Sequence, residues 1–574
     1  MAPSSGRVAA AAAVLLALLG AALVFDHQRL DTATMDEPFH ALAGCEYALS
    51  GTYWANLEHP PLAKLLAGAS AGLAGARPPR LPEPFSFATA EMPQQFLYGN
   101  DLPPGRLLAA ARRPFPVLHV LLVLLGAAAA GRAAGPLAAA GAALLLAFEP
   151  TLVAHAAFLH TDVAAALGFL ATVLAALAAL RRPSPRRWLA TGALLGLSLA
   201  AKFTAVFLGP VLVVLVLVHL LLEKRRTGRV PLGAAGGLAA AAAVAALVLL
   251  AVYAVSMRNM PRAEAERSAR LFLEGRRAAP GTVARVAALS RLLPSAGHYA
   301  AGLAGIAEQN RRGGGVNVFR GEVSVDGFAS YFPVAFLVKS SLGLLGALAL
   351  AAALAAAGRL RWGLGAVAFL LPPAYVFLAS VASSYNIGVR HVLPAVPFLA
   401  VGAAVAIVRG LPPRAAAAAL LGLGLLQAVE TAAVHPHEVS FFNAAAGGPA
   451  EGHRWLNDSN LDWGQDLDRL ALELARRGEA SATVAYFGGA FPPYHLPAAR
   501  FFDAARTPLT PGLYAVSAYL LAAGPEVMAF RGDPARAAGY ADLRRALASR
   551  GRPEGRVGYS ILLYRLPEER IPPP

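Results

Sequence analysis

Eleven apolar runs divide this chain, and a chain that carries so many can hide them only in lipid or against one another. They fall near Val8–Phe25, Phe115–Ala130, Ala133–Phe148, Ala164–Leu180, Trp188–Ala205, Val206–Leu222, Leu232–Val255, Phe332–Ala357, Leu364–Val381, Val392–Val408 and Ala415–Val434. Each approaches the roughly 20 residues a helix needs to cross about 30 Å of hydrocarbon, so about eleven membrane helices are expected, give or take about two. Of the 574 residues 57% are hydrophobic and only 15% charged, with a mean hydropathy of +0.52. That excludes an ordinary soluble protein and leaves room for a helical bundle plus a soluble domain. The net charge of +16 is dispersed through loops. It reads as orientation in the bilayer and contact with anionic headgroups, with no nucleic-acid partner. A single Cys45 excludes an intramolecular disulfide and a multi-cysteine metal site.

The short connections after even-numbered runs carry Arg132, then Arg181, Arg182, Arg186 and Arg187, then Lys224, Arg225, Arg226 and Arg229, then Arg359 and Arg361, then Arg409 and Arg414. The positive-inside rule makes these cytoplasmic. Residues 26–113, the connection Glu149–Asp162, the turn at Lys202, residues 256–331, the connection Ser383–Arg390 and everything after His435 are then expected on the outer side. The first run, preceded by Arg7, has no clean cleavage site before Asp26 and is expected to stay as an anchor.

Within 26–113, Pro61–Ala74 reads as an interfacial helix and Pro78–Pro84 as proline-rich punctuation. Residues 256–331 show helical patterning at Ala263–Gly275 and Val283–Leu293 and a break at Gly313-Gly314-Gly315, which lacks the lysine and spacing of a nucleotide-binding loop. After His435 a helix is expected over Leu467–Arg477, with strands at Ala482–Phe487, Leu513–Ser517 and Tyr559–Tyr564 and a proline-rich tail at Pro572–Pro574. The run Asp458–Asp466 superficially matches a calcium loop. Trp463 at its sixth position and Arg469 at its twelfth stand where glycine and glutamate are required, so capping of the following helix explains the acids better.

Chemistry concentrates in the expected outer segments. Asp36 and Glu37 are adjacent, so on a helix they point about 100° apart and only one can lead into a given pocket. Glu58, His59 and Lys64 lie around the stiff pair Pro60-Pro61. Four lysines stand against 46 arginines, and Lys64, Lys202 and Lys339 all fall at or near the outer face. A compact ammonium suits a single phosphate oxygen, with snorkelling at a helix end as the alternative reading. Asp162, near Glu149, His155 and Thr161, is a second carboxylate at an outer turn, and Arg112, Arg390 and His391 add cationic groups. One membrane face thus carries carboxylates beside cations, as needed where an acceptor loses a proton and a phosphate departs.

The pair Asp36-Glu37, the run His59-Pro60-Pro61-Leu62-Ala63-Lys64, Arg112, Glu149-Pro150, Thr161-Asp162 and Ile387–Pro394 resemble glycosyltransferase family 39 and related GT-C enzymes, which include protein O-mannosyltransferases and the lipid A aminoarabinose transferase. The segment Asp458–Asp466 is similar to one in bacterial phospholipid-carrier-dependent glycosyltransferases. The resemblance implies a polytopic α-helical membrane protein of GT-C type over residues 1–434, with a small extracytoplasmic α/β domain over 435–574, in a bacterial inner membrane. It also implies a polyprenyl-phosphate sugar donor and inverting transfer to an acceptor hydroxyl of a protein, lipid or glycan. By the same resemblance, Asp36 is the expected base, Glu37 its acidic neighbour and Asp162 the second pocket acid. Lys64 and Arg112 are, by that resemblance, donor-phosphate or pocket-organising cations, and His59, Lys202, Lys339 and Arg390, on the same face, are further candidate donor-binding groups. No cofactor is required, a divalent cation being the one candidate, and no histidine-rich ligand set is evident in the sequence. A transporter would place ionisable groups at mid-membrane between internal repeats, and a noncatalytic scaffold would leave the acid-and-cation face idle.

Overall fold

The computed structural model describes residues 3–78, 81, 91–313, 315–479 and 481–567. Most of Pro78–Pro84, the centre of the glycine triplet and the tail Pro572–Pro574 lie outside the described residues. All eleven apolar runs become helical. Eight helices among the described residues are long and apolar enough to cross a bilayer: Gly6–His27, Pro104–Ala134, Asp162–Arg181, Phe203–Thr227, Gly233–Ser256, Leu364–Val381, Leu393–Gly410 and Pro413–Val434. Two further runs are bent pairs, Pro136–Ala147 with Pro150–Ala156 at 60° and Tyr331–Lys339 with Leu342–Ala356 at 112°. The run expected over Trp188–Ala205 is a 17-residue helix, Pro185–Ala201, which stops at an extended Lys202.

Proline punctuates this bundle. Helices open with Pro104, Pro136, Pro150, Pro185 and Pro413 in the first turn, and Pro114 opens the second part of Pro104–Ala134 after a turn at Arg113; in each place the missing N–H costs no intrahelical bond. The two bent pairs break at the same end of the bundle and dock there. Ser341 Oγ donates to Glu149 Oε2 (3.2 Å) and Thr151 Oγ1 to the Lys339 carbonyl (3.0 Å), which satisfies groups that each break frees.

The connections sort to two ends as the arginine pattern requires. At one end Arg409 donates to Ala133 O (2.8 Å) and Arg359 to Gly410 O (3.4 Å), joining three of the arginine-bearing loops. At the other, all six expected outer segments interlock, the connection 149–162 through Leu159 N to Glu37 Oε1 (2.9 Å) and the Lys202 turn through its ion pair with Asp162. Met35 N donates to Trp463 O (2.9 Å), Arg258 Nη1 to Tyr47 O (3.0 Å), Asn317 Nδ2 to Ser384 O (3.0 Å) and Ser459 Oγ to Ile387 O (2.7 Å).

Within the first of these segments, helices Glu37–Cys45 and Leu62–Leu73 cross almost backbone to backbone, and a Cβ at Gly68 would lie 1.9 Å from Gly44 O. Only glycine permits that approach. The segment 256–331 adds the expected helices as Arg262–Gly275 and Pro280–Leu292 and a third, Pro294–Arg311, that the sequence pattern does not announce.

Beyond Val434 the chain first threads across the bundle's end in short 3₁₀ turns. It then forms a five-stranded sheet in the order Arg500–Phe501, Thr483–Ala485, Gly512–Ser517, Ile561–Leu566, Gly555–Val557. The first three strands are mutually parallel and the last three antiparallel. Alternation along Gly512–Ser517 sends Leu513 and Ala515 toward helix Leu467–Arg477 and Tyr514 and Val516 toward helices Ala518–Phe530 and Pro534–Ala548, giving an α/β/α sandwich. The helix Leu467–Arg477 falls where it was expected. Its anticipated cap does not form: Asp466 turns instead to Arg469 Nη1 (2.7 Å) and Ser560 Oγ (2.6 Å).

Lys339 fastens this threaded segment to the bundle, its Nζ donating to Val439 O (2.7 Å) and Asn460 O (2.6 Å). Lys339→Met leaves two buried carbonyls without donors, and a net loss of about 1–3 kcal/mol per unsatisfied group predicts a lower thermal midpoint in detergent. It also predicts earlier proteolysis after Val434. An unchanged midpoint and cleavage pattern would refute the fastening role.

Candidate active site

Where the bundle meets the C-terminal sandwich lies a cavity of about 320 Å³. Its floor and walls include Asp36, Glu58, His59, His160, Lys202, Arg390 and His391, and its roof includes Asp458, Trp463, Tyr519 and Phe530. Of the nine site residues expected from the sequence, four line this space, namely Asp36, His59, Lys202 and Arg390.

Asp36 sits just before helix Glu37–Cys45, with its side chain about one-third exposed to the cavity. Its Oδ2 lies 3.1 Å from Arg390 Nη1 and 3.3 Å from His160 Nε2. Burial would push the carboxyl up, but the His160 and Arg390 interactions outweigh it and hold Asp36 well below the usual carboxylate range. Behind it runs a buried chain of charge: His160 Nδ1 meets Asp162 Oδ2 at 2.5 Å, and Asp162 Oδ1 is ion-paired with Lys202. Arg390 Nη1 also lies 2.6 Å from His160 Nε2, so the guanidinium links the ring and Asp36. The Arg390 guanidinium also lies over the Trp463 ring, 4.6 Å from its centroid, a cation–π contact that fixes the side chain at the cavity wall.

Glu37, Arg112, Lys64 and Lys339 do not reach the cavity. Glu37 and Arg112 form a fully buried bidentate pair (2.7 and 2.6 Å). Glu37 also accepts from Thr34 N and Leu159 N (2.9 Å each), and Arg112 donates to the carbonyls of Asp31 (3.0 Å) and Thr32 (3.1 Å). Every strong group of the pair is spent on protein, so it positions Asp36 and the turn before Asp162. Lys64, pushed down by burial, donates to His59 O (2.7 Å) and Asn56 O (2.9 Å) and sets the backbone of the Glu58-His59 corner. Lys339 is the fastener described above, and Asp162 stands one layer back, orienting His160 and Lys202.

Three cavity groups do not stand out in the sequence. His160 is masked by the adjoining Thr161-Asp162, which draw the eye as the outer-turn acid. Trp463 and Asp458 figure there only as parts of an imperfect calcium loop. Asp458 adopts a left-handed backbone (φ +56°) and caps Ser459 N (2.6 Å). Burial pushes its carboxyl up to about 7. A non-glycine residue with positive φ on a cavity wall is the local signal of a constrained site, and no sequence pattern shows it.

Residues 105–250 match the family model for dolichyl-phosphate-mannose-protein mannosyltransferase. That stretch holds Arg112, His160, Asp162 and Lys202, and over it the resemblance to glycosyltransferase family 39 is borne out. No curated protein matches the chain. Among solved structures the chain is similar to ArnT from Cupriavidus metallidurans bound to undecaprenyl phosphate, at 15% identity over 96% of this chain and 97% of that one, with a TM-score of 0.47. It is similar to the Archaeoglobus fulgidus oligosaccharyltransferase in complex with Zn and sulfate, at 12% identity over 91% and 70%, with a TM-score of 0.46. It is also similar to the S. cerevisiae protein O-mannosyltransferase complex bound to the sugar donor, at 20% identity over 45% of this chain, with a TM-score of 0.34; there it spans 34% of the yeast chain.

The division between Asp36 and Glu37 is testable by stability alone. Removing one member of a buried pair costs about 3–5 kcal/mol, so Glu37→Ala is expected to lose most of the folded protein or drop its thermal midpoint sharply. Asp36→Asn, at the cavity edge, is expected to melt within a few degrees of the parent. Equal midpoints for the two variants would contradict the assignment.

Proposed function

We propose that this protein is an integral-membrane glycosyltransferase that moves a sugar from a polyprenyl-phosphate donor to an acceptor hydroxyl on the extracytoplasmic face of a bacterial inner membrane. The observation that carries the reading is one ionised carboxylate, Asp36, opening on a cavity that also presents Lys202, Arg390 and His59. The match of residues 105–250 to a lipid-phosphate-mannose transferase family supports it. The arginine loops at the opposite end of the bundle support the orientation.

In the reaction the acceptor O–H gives its proton to Asp36 as the oxygen attacks the anomeric carbon. The bond from that carbon to the phosphate oxygen breaks, and the polyprenyl phosphate leaves with the electron pair. A single displacement inverts the anomeric centre. Lys202 and Arg390 meet the charge that builds on the leaving phosphate, through contacts roughly twice as strong as neutral hydrogen bonds. Fixed in place by Asp162 and Trp463, they need little reorganisation at the moment of transfer. The donor sugar is a mannose-like hexose or a modified pentose. The acceptor is a protein serine or threonine, with a lipid or envelope polymer as the other acceptor class.

Purified protein incubated with polyprenyl-phosphate hexoses is expected to release polyprenyl phosphate, and Asp36→Asn to slow that release by about 10²–10⁴-fold without unfolding. Near-parental turnover in the variant would remove Asp36 from the role.

A pH profile probes the roof. Asp458 faces Arg390 and Asp36, is neutral below about 7 and anionic above it. An ionised Asp458 beside Asp36 opposes an incoming phosphate anion, so the donor KM is expected to rise as pH increases through about 7, and Asp458→Asn to lack that rise. Superimposable KM profiles for the two proteins would exclude Asp458 from the donor's field.

A further inference from the structure

His40, His59 and His160 converge from separate parts of the chain: one ring nitrogen from each lies within 4.8 Å of the others. Their ring centroids are 5.2 to 5.9 Å apart. Each is held where it stands. His40 rides on the helix that crosses Gly68. The His59 carbonyl is gripped by Lys64 Nζ and by the Tyr53 hydroxyl (3.0 Å), and Pro60-Pro61 stiffen the chain immediately after it. His160 is oriented by Asp162.

Two observations show that this is more than aromatic packing. Both ring nitrogens of His40 are buried, and neither finds a hydrogen-bond partner among the described residues. An unsatisfied buried group costs about 1–3 kcal/mol, which a phenylalanine in the same place would avoid. Second, the Asp162 carboxylate lies 2.5 Å from His160 Nδ1, behind the ring, where metal-ligating histidines ordinarily have an outer carboxylate. A further space of about 90 Å³ opens beside the rings, lined by Asp36, His40, Asn56, Glu58 and His59.

We propose that His40, His59 and His160 bind one divalent transition-metal ion of the zinc class, with a fourth position open toward Asp36 and the cavity. Three imidazoles without a thiolate suit zinc, cobalt, nickel or ferrous iron and disfavour magnesium and calcium. A tetrahedral zinc at about 2.0–2.1 Å from each nitrogen draws the rings closer than they stand here. Arg390 Nη1 now lies 2.6 Å from His160 Nε2. The ion takes the Nε2 lone pair, and Arg390 keeps its contacts to Asp36 and Trp463. Asp36 Oδ2, 3.3 Å from His160 Nε2, is placed to be the fourth ligand or to hold a bound water. This site stands independently of the sugar-transfer reading.

The test uses the full chain, purified without a polyhistidine tag, stripped with chelator and titrated with Co²⁺. Uptake of one equivalent with the visible d–d absorption of tetrahedral cobalt is expected, with zinc displacing it. His40→Phe and His59→Ala should each abolish the absorption while a thermal melt confirms folding. Asp162→Asn should weaken the ion by about 10–100-fold. If the stripped protein develops no tetrahedral cobalt spectrum, or if both histidine variants take up cobalt as the parent does, the site does not exist, whatever the protein's transferase activity.

Discussion

A carboxylate at the edge of hydrocarbon must find a partner or lose its charge, and Glu37 shows how much structure that requirement organises. Its pairing with Arg112 ties the first outer segment to the entry of helix Pro104–Ala134, and its bond from Leu159 N ties both to the turn that carries His160 and Asp162. Arg112, through the carbonyls of Asp31 and Thr32, holds the strand-like stretch whose backbone then pairs with Gln465 and Trp463. Four segments distant in sequence are thereby fixed relative to one another. Asp36, the residue immediately before it, lines the cavity while Glu37 is committed inward.

From that anchor the charge is arranged in layers. Asp162 and Lys202 are buried and paired, His160 bridges them to Asp36, and Arg390 closes the set from the opposite wall. Burying so many ions stabilises nothing by itself, since desolvation consumes much of the Coulomb energy. Their value lies in being fixed before any substrate arrives, in a space where each interaction is stronger than in water.

The apolar runs are legible because hydrophobic length is a direct physical requirement for crossing a bilayer, and the meeting of the expected outer segments at one end of the bundle agrees with where the arginines lie. Asp36, His59, Lys202 and Arg390 were legible as ionisable groups at one rim. Lys339 reads as equally suited to a phosphate yet serves backbone carbonyls, and of the two roles open to Lys64 and Arg112, phosphate binding or pocket organisation, their bonds to carbonyls and Glu37 fit the second. Residue type reports that a charge is present but not whether its partner is the chain itself or a substrate. The cluster of His40, His59 and His160 was invisible for another reason: its members are brought together only by the Gly44–Gly68 crossing and the turn before Asp162, long-range contacts that no local spacing encodes. Asp458 is not legible as a cavity group because acids before a helix usually cap it, whereas here the backbone turns left-handed and the carboxyl accepts from Ser459 N.

The C-terminal sandwich gains its meaning from the same electrostatics. A carboxylate and two cations at an open membrane rim would be screened by water and salt, and a reactive sugar held there would meet water as readily as an acceptor. Trp463, Tyr519 and Phe530 cover the cavity from above, and Trp463 does so while carrying the Arg390 guanidinium on its face. The roof is therefore part of the charged machinery: it narrows the opening to solvent and sets the position of the cation on the Trp463 face. Lys339, buried in the bundle and bonded to the carbonyls of Val439 and Asn460, holds that roof in register with the floor, so a lysine outside the cavity governs the geometry within it.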